Sequence, residues 1–158
     1  MTLKIKMPLF VAQQYNRHRM QNINYQSFRY TQPDDDFYMP SEWRKQSAHN
    51  KQVSEFEEGW KPDPTIDQAF AEHCDKSMRL YLDMVDNGIG REMARMVLPQ
   101  NLYTTCYSSW DLSNLIKFFR LRDHSHAQWE IRQYAIAMKN ITRELYPWTV
   151  QAFDDYAA

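Results

Sequence analysis

Glycine is scarce: the 158-residue chain has three. GxGxxG turns and P-loops need glycine backbones that approach phosphate closely, so nucleotide binding of those two kinds is excluded. Any phosphate would have to be held by side chains. Cysteine is nearly missing too. Cys74 and Cys106 lie far apart and form no CxxC pair, so neither a disulfide framework nor a zinc knuckle is indicated, and a reducing cytoplasm is the expected setting. There is no excess charge of one sign. A formal net charge of −1 argues against a polyanion binder that holds nucleic acid by total charge, so any basic site is local. Long apolar runs are lacking as well: Leu9 to Ala12, near the start, is too short for a signal-peptide core or a membrane span. The expected partners therefore include no nucleic acid and no membrane.

What is present fits a single domain over residues 1–158, since 43% hydrophobic and 25% charged residues allow a real core without disorder. Ten Tyr, eight Phe and five Trp suit flat ligands or subunit interfaces, and equally an ordinary core. Thr2 to Met7 alternates, with Leu3, Ile5 and Met7 on one face and Lys4 and Lys6 on the other, as a half-buried strand does. Pro8 suits the first turn of a helix that runs up to Arg17. Residues 24–30 read as extended, and 41–64 as a long loop anchored by Trp43 and Trp60. The strongest helix spans Pro64 to Asn87, with Ile66, Phe70, Cys74, Met78, Tyr81, Leu82 and Val85 as its stripe and Asn87-Gly88 as its stop. Further helices are expected over Gly90–Leu98, from an Asp111 N-cap to about Arg120, and over Ser125–Tyr146, with a strand over Leu102–Trp110. The sum is α+β: a helix-rich domain with a small antiparallel sheet.

Arg17-His18-Arg19, with Ser27 and Arg29 following, is the most informative cluster. Guanidiniums offer forked, permanently charged donors suited to phosphate. On local physics alone a solvated basic patch accounts for such a triplet better. Arg91, Arg95, Arg120 and Arg122 form a second basic set. Arg95, among Met93, Met96 and Val97, reads as partly buried and in need of an anion, and Glu92, Asp83 or Asp86 would serve as readily as a ligand. His124-Ser125-His126 has no further ligands in HExxH or Cys spacing, so capping or core roles are preferred and no metal is expected. Ser27 lacks the Ser-His-acid order and the nucleophile elbow, which leaves it as a binding group.

Arg17-His18-Arg19-x7-Ser27-x-Arg29 resembles the signature of flavin-dependent thymidylate synthases of the ThyX type. The likeness extends from Pro8-Leu9-Phe10-Val11-Ala12-Gln13-Gln14 through Trp43-Arg44-Lys45-Gln46, Asn50-Lys51-Gln52, Arg91-Glu92-Met93-Ala94-Arg95, Leu121-Arg122 and His126-Ala127-Gln128-Trp129-Glu130-Ile131 to Pro147-Trp148-Thr149. It implies the ThyX fold and reductive methylation of dUMP to dTMP, with FAD as cofactor and NADPH and methylenetetrahydrofolate as co-substrates. It further implies a homotetramer with shared active sites. By position, Gln14, Arg17, Gln26, Ser27, Phe28, Arg29 and Arg95 would bind dUMP, and Arg17, His18 and Arg19 would contact FAD. Arg122 would be the catalytic group, favouring the ionised uracil ring.

Departures accompany the matches. Asn22, Tyr25 and Phe28 stand where the family has Ser, Glu and Gly, and Asp111, Ser113 and Lys117 stand where flavin-contacting Asn, Arg and Asn or His are common. Relative to the family the chain is short at its N-terminus. A second reading therefore stands beside the enzyme: a catalytically incomplete ThyX-like fragment acting as a nucleotide-binding or assembly module.

Overall fold

The structure, a computed structural model, describes residues 1–48 and 54–156. The alternating N-terminal segment forms strand β1 (Thr2–Pro8), which buries Ile5, Met7 and Pro8 and exposes Lys4 and Lys6. Pro8 closes the strand, and helix α1 (Leu9–Tyr15) begins at once, burying Val11, Ala12 and Tyr15. Strand β2 (Asn22–Tyr25) follows; the extended stretch expected to reach residue 30 ends here, because residues 28–30 form a turn. That turn is closed by the Tyr30 and Thr31 amides donating to the Ser27 carbonyl, both at 3.0 Å.

The region read as one long loop contains a small ladder, β3 (Lys45–Gln46) against β4 (Ser54–Glu55). Asn50-Lys51-Gln52 lies outside the described residues. Trp43 anchors this region to helix α2 (Thr65–Asp86): its ring meets Phe70 edge-on at 5.5 Å and its Nε1 donates to Asp67. Cys74, Met78 and Tyr81 of the α2 stripe are buried, whereas Ile66 is exposed. The helix stops at Asn87, where Gly88 takes φ +83°, a left-handed conformation that costs glycine little. The helix expected over 90–98 is split into α3 (Arg91–Ala94) and a 3₁₀ turn (Arg95–Val97), because Pro99 has no N–H to continue it.

Strand β5 (Tyr103–Ser109) is central in the three-stranded antiparallel sheet, order β1-β5-β2, pairing Thr2 with Ser109 and Pro8 with Tyr103 on one side and Tyr25 with Cys106 on the other. Asp111 caps helix α4 (Leu112–Arg122) as expected, accepting from the Asn114 amide at 2.9 Å. Helix α5 covers Trp129–Leu145, not the expected start at Ser125: residues 123–127 form a turn in which Asp123 is held by Lys139 at 2.7 Å. The chain then forms an unanticipated helix, α6 (Pro147–Tyr156).

Two apolar clusters result. The first joins β1, α1, β5, α4 and α5 through Met7, Tyr15, Trp110, Phe118, Phe119 and Ile131. The second joins the turn after β2 to α2 and α3 through Phe28, Met78, Tyr81, Ala94 and Leu98. The candidate site residues are divided between them.

Candidate active site

Helix α1 ends at Tyr15, and the next residues turn along the first cluster. The His18 ring stands edge-on to Phe118, 4.8 Å between centroids at 85°, with Trp110 at 6.4 Å. Arg122, the last residue of α4, donates from Nε to His18 Nε2 at 3.0 Å. A guanidinium has donors only, so that nitrogen carries no proton and the ring is the neutral Nδ1–H tautomer. Burial, and then the positive charge of Arg122, pushes the His18 pKa down to about 4. Burial also lowers the Arg122 pKa from its ordinary value. The predicted catalytic arginine is thus seated on a neutral acceptor that sits on an aromatic floor.

That floor is itself tied down. Tyr15 packs edge-on to Phe118 and Trp110, and its hydroxyl shares hydrogen bonds with Ser108 at 2.8 Å and Trp110 Nε1 at 2.9 Å. Burial drives its pKa up to about 12, so it remains neutral. Tyr25 donates to Asn16 Oδ1 at 2.9 Å and ties β2 to the end of α1.

Arg17 and Arg19, flanking His18, are exposed, and neither side chain has a hydrogen bond or ion pair among the described residues. The two arginines therefore leave unneutralised charge on either side of the ring. Gln14, half-buried one turn earlier, donates from its amide to Gln128, a contact between α1 and the segment leading into α5.

The remaining predicted ligands lie on the second cluster. Phe28 is buried among Met78, Tyr81, Ala94 and Leu98, so its side chain is packing and its backbone alone is available to a ligand. The Gln26 amide is used by the sheet, donating to the Thr105 carbonyl at 2.8 Å, so of Gln26 only the side chain is left for a ligand. The Ser27 and Phe28 amides have no acceptor among the described residues, and the Arg29 amide reaches Ser27 Oγ at 3.4 Å. Arg29 is exposed beside the Tyr30 ring, 5.6 Å from its centroid. Free amides with an adjacent guanidinium are the kind of group that can hold an anion.

Arg95 is exposed, not partly buried as the sequence suggested, because it falls on the outer side of the 3₁₀ turn while Ala94 and Leu98 point inward. Its Nε donates to the Glu92 carbonyl at 3.2 Å, and among the described residues it has no ion pair with Glu92, Asp83 or Asp86. Phe28 and Ala94 share one cluster, so the Ser27–Arg29 turn and Arg95 stand on the same part of the molecule, while Gln14, Arg17, His18, Arg19 and Arg122 stand on the other.

His124 and His126 are exposed; the His126 amide donates to His124 Nδ1 at 3.1 Å, so this pair organises a turn and does not occupy the core. A recess of about 390 Å³ bordered by Phe10, Tyr38, Trp43, Arg44, Phe70 and Asn101 contains none of the predicted ligands. Sequence reasoning gave no role to Glu130. This buried carboxylate accepts from Arg44 at 2.5 Å, Tyr38 at 3.1 Å and Gln128 at 2.8 Å. Burial raises its pKa, but the hydrogen bonds from Arg44 and Gln128 and the charge of Arg44 outweigh burial and hold it below the ordinary value. An acid between Trp129 and Ile131 at a helix start was the available signal.

In fold, this is the helix-rich α+β architecture of the UMP/dUMP methylase PolB from Streptomyces cacaoi, solved with 5-Br dUMP: the TM-score is 0.87 at 27% identity, over 99% of this chain and 70% of that one. The Thy1 family, described as thymidylate synthase complementing protein, matches residues 1–148. The flavin-dependent thymidylate synthase of Thermosipho africanus is 39% identical over 157 residues, 99% of this chain and 68% of the relative. That of Thermus thermophilus is 42% identical over 152 residues, 96% of this chain and 55% of the relative. The chain belongs to the flavin-dependent thymidylate synthase family. It spans between about half and two thirds of the length of these relatives.

Proposed function

We propose that this chain carries the nucleotide-activating part of a flavin-dependent thymidylate synthase, converting dUMP to dTMP. The observation that carries this reading is Arg122 on neutral His18, flanked by Arg17 and Arg19, which have no carboxylate partner among the described residues. A guanidinium so held is oriented before any ligand arrives, and its charge favours a substrate ring in which negative charge develops. Arg29, Arg95 and the free Ser27 and Phe28 amides would hold the phosphate, and Gln14 and Arg17 would meet the same nucleotide from the α1 side.

The residues present fit a flavin on this side. Arg17 and Arg19 offer free guanidiniums for a pyrophosphate, and the acid at Asp111 is engaged as the α4 cap, also accepting from Asn114 Nδ2 at 2.6 Å. Arg17, His18 and Arg19 would hold it. When bound it supplies the redox chemistry, with NADPH as reductant and methylenetetrahydrofolate as the source of the methyl carbon. The chain's own contribution is to fix the nucleotide and stabilise charge on its ring.

A homotetramer with shared sites completes the reading. Arg95 lies between Met93 and Met96, which are 54% and 70% exposed, so this proposed phosphate ligand projects from an apolar surface suited to a second copy. Light scattering should give four chains per particle. The cytoplasm is the proposed location, in keeping with the unpaired buried thiols of Cys74 and Cys106.

The test is to titrate the protein with FAD and record the flavin spectrum, then supply dUMP, methylenetetrahydrofolate and NADPH and measure dTMP. Flavin binding with dTMP formation supports the reading. Calorimetric dUMP binding without a flavin spectrum would leave the nucleotide-binding module, and binding of neither would reject both.

A further inference from the structure

Four side chains outside the predicted ligand set form a hydrogen-bonded chain that ends on Gln14. At its far end Glu130 is buried and ionised, so both of its oxygens accept. One oxygen takes Arg44 Nη2 at 2.5 Å and the Tyr38 hydroxyl at 3.1 Å. Arg44 is fixed in turn by its Nε donating to Ser54 at 2.9 Å and by the Phe56 and Trp129 rings, 5.6 and 5.5 Å from its guanidinium carbon. The other Glu130 oxygen takes Gln128 Nε2 at 2.8 Å.

This end fixes the direction of every amide that follows. Because a carboxylate cannot donate, Gln128 must turn its NH₂ toward Glu130 and its carbonyl oxygen toward α1. Gln14 then has to offer its own NH₂ to Gln128, which is the bond present. Its carbonyl oxygen accepts nothing among the described residues. An unanchored glutamine could present either end to a ligand, whereas this one is committed.

We propose that Gln128, backed by Glu130, Arg44 and Tyr38, is a positioning residue that sets the amide of Gln14 so that its carbonyl oxygen faces the nucleotide and accepts a hydrogen bond from it. This rests on the proposed dUMP site. dUMP has ring N3–H and a sugar 3′-hydroxyl as donors, and either could be given to this acceptor. Both present the same chemistry to Gln14.

Gln128→Met keeps length and removes both ends of the relay. In the nucleotide-free protein the side-chain amide resonances of Gln14, read by ¹⁵N NMR, should shift in this variant; if they stay where they are in the wild type, the relay is overturned. By calorimetry dUMP should bind about tenfold more weakly to Gln128→Met, the worth of one ordinary hydrogen bond, and no more weakly to Gln14→Ala/Gln128→Met than to Gln14→Ala alone. An equal loss in both backgrounds would mean that Gln128 acts on the fold and not through Gln14, which overturns the proposal. N3-methyl-dUMP and the 3′-deoxy analogue identify the donor: one of them should lose affinity in the wild type and lose nothing further in Gln14→Ala. If neither does, the acceptor role is wrong. If the Gln128→Met variant shows the NMR shift but the wild-type protein binds no dUMP, the relay stands, its nucleotide role is overturned and the proposed function is rejected with it.

Discussion

The two halves of the candidate site are built in opposite ways. Under His18 the groups are seated on one another, although the flanking Arg17 and Arg19 are not: Arg122 on the imidazole, the imidazole on Phe118, and Tyr15 on Trp110 and Ser108. Around Ser27 the backbone is set by Phe28 in the core and the turn closed on the Ser27 carbonyl, but Arg29 and Arg95 are exposed and make no ion pair among the described residues. Only the first half is organised in advance, as charge stabilisation during a reaction demands. Phosphate anchoring tolerates flexible cations, because the ligand itself orders them.

The largest expected effect comes from breaking the seated half. Phe118 is fully buried and touches His18, Tyr15, Trp110 and Phe119 ring to ring. Phe118→Ala should cost about 3–5 kcal/mol in urea unfolding, through lost transfer energy and the cavity left behind. Arg29→Ala or Arg95→Ala should change stability by no more than about 0.5 kcal/mol, since both groups are exposed and neither has an ion pair among the described residues. Equal losses in the two regions would erase the contrast between them.

Next come the free cations themselves. Arg29→Ala and Arg95→Ala should each weaken dUMP roughly ten- to a hundredfold, the range for a hydrogen bond to a charged group. Their effect on deoxyuridine, which lacks the phosphate, should be small. Calorimetry with both ligands checks this, and a loss of deoxyuridine equal to that of dUMP would move these arginines off the phosphate.

How far this division could be read in advance depended on whether the deciding contact was local. The β1 alternation, the α2 stripe apart from the exposed Ile66, its Asn87-Gly88 stop and the Asp111 cap are set within a few residues, and they stand as the sequence indicates. The pairing of β5 between β1 and β2 joins segments with no mutual mark in the chain. Pro147 opens α6, although the same residue serves equally well to end a preceding helix. Arg95 was misjudged because its apolar neighbours Met93 and Met96 suggest burial, yet they are exposed beside it. His18 and Arg122 are 104 residues apart, so both were legible as site residues while their contact was not.

That contact predicts a pH effect of intermediate size. The folded ring stays neutral down to about pH 4, while an ordinary histidine takes up its proton near 6.5. Between those values the unfolded chain binds the extra proton, so the stability present at neutral pH is lost as pH falls through that window. The same proton would remove the acceptor on which Arg122 rests. His18→Gln retains an acceptor and cannot titrate, so its urea midpoint should fall less between pH 6.5 and pH 4 than that of the wild type. Parallel curves would show that His18 takes no part in the acid limb.

The smallest effect probes the edge of the seated half, at the cap of α4. Asp111 caps α4 through the Asn114 amide, a bond that asparagine makes nearly as well. Asp111→Asn should therefore leave the thermal midpoint almost unchanged, whereas Asp111→Ala should lower stability by about 1 kcal/mol. The charge is what the first substitution removes. If this carboxylate opposes a flavin pyrophosphate, Asp111→Asn should tighten FAD binding while leaving dUMP affinity alone, since the phosphate ligands proposed for dUMP sit on the other cluster. A gain for both ligands would mean that the two halves share one electrostatic field, and an unchanged FAD affinity would show that the cap has already absorbed the acid.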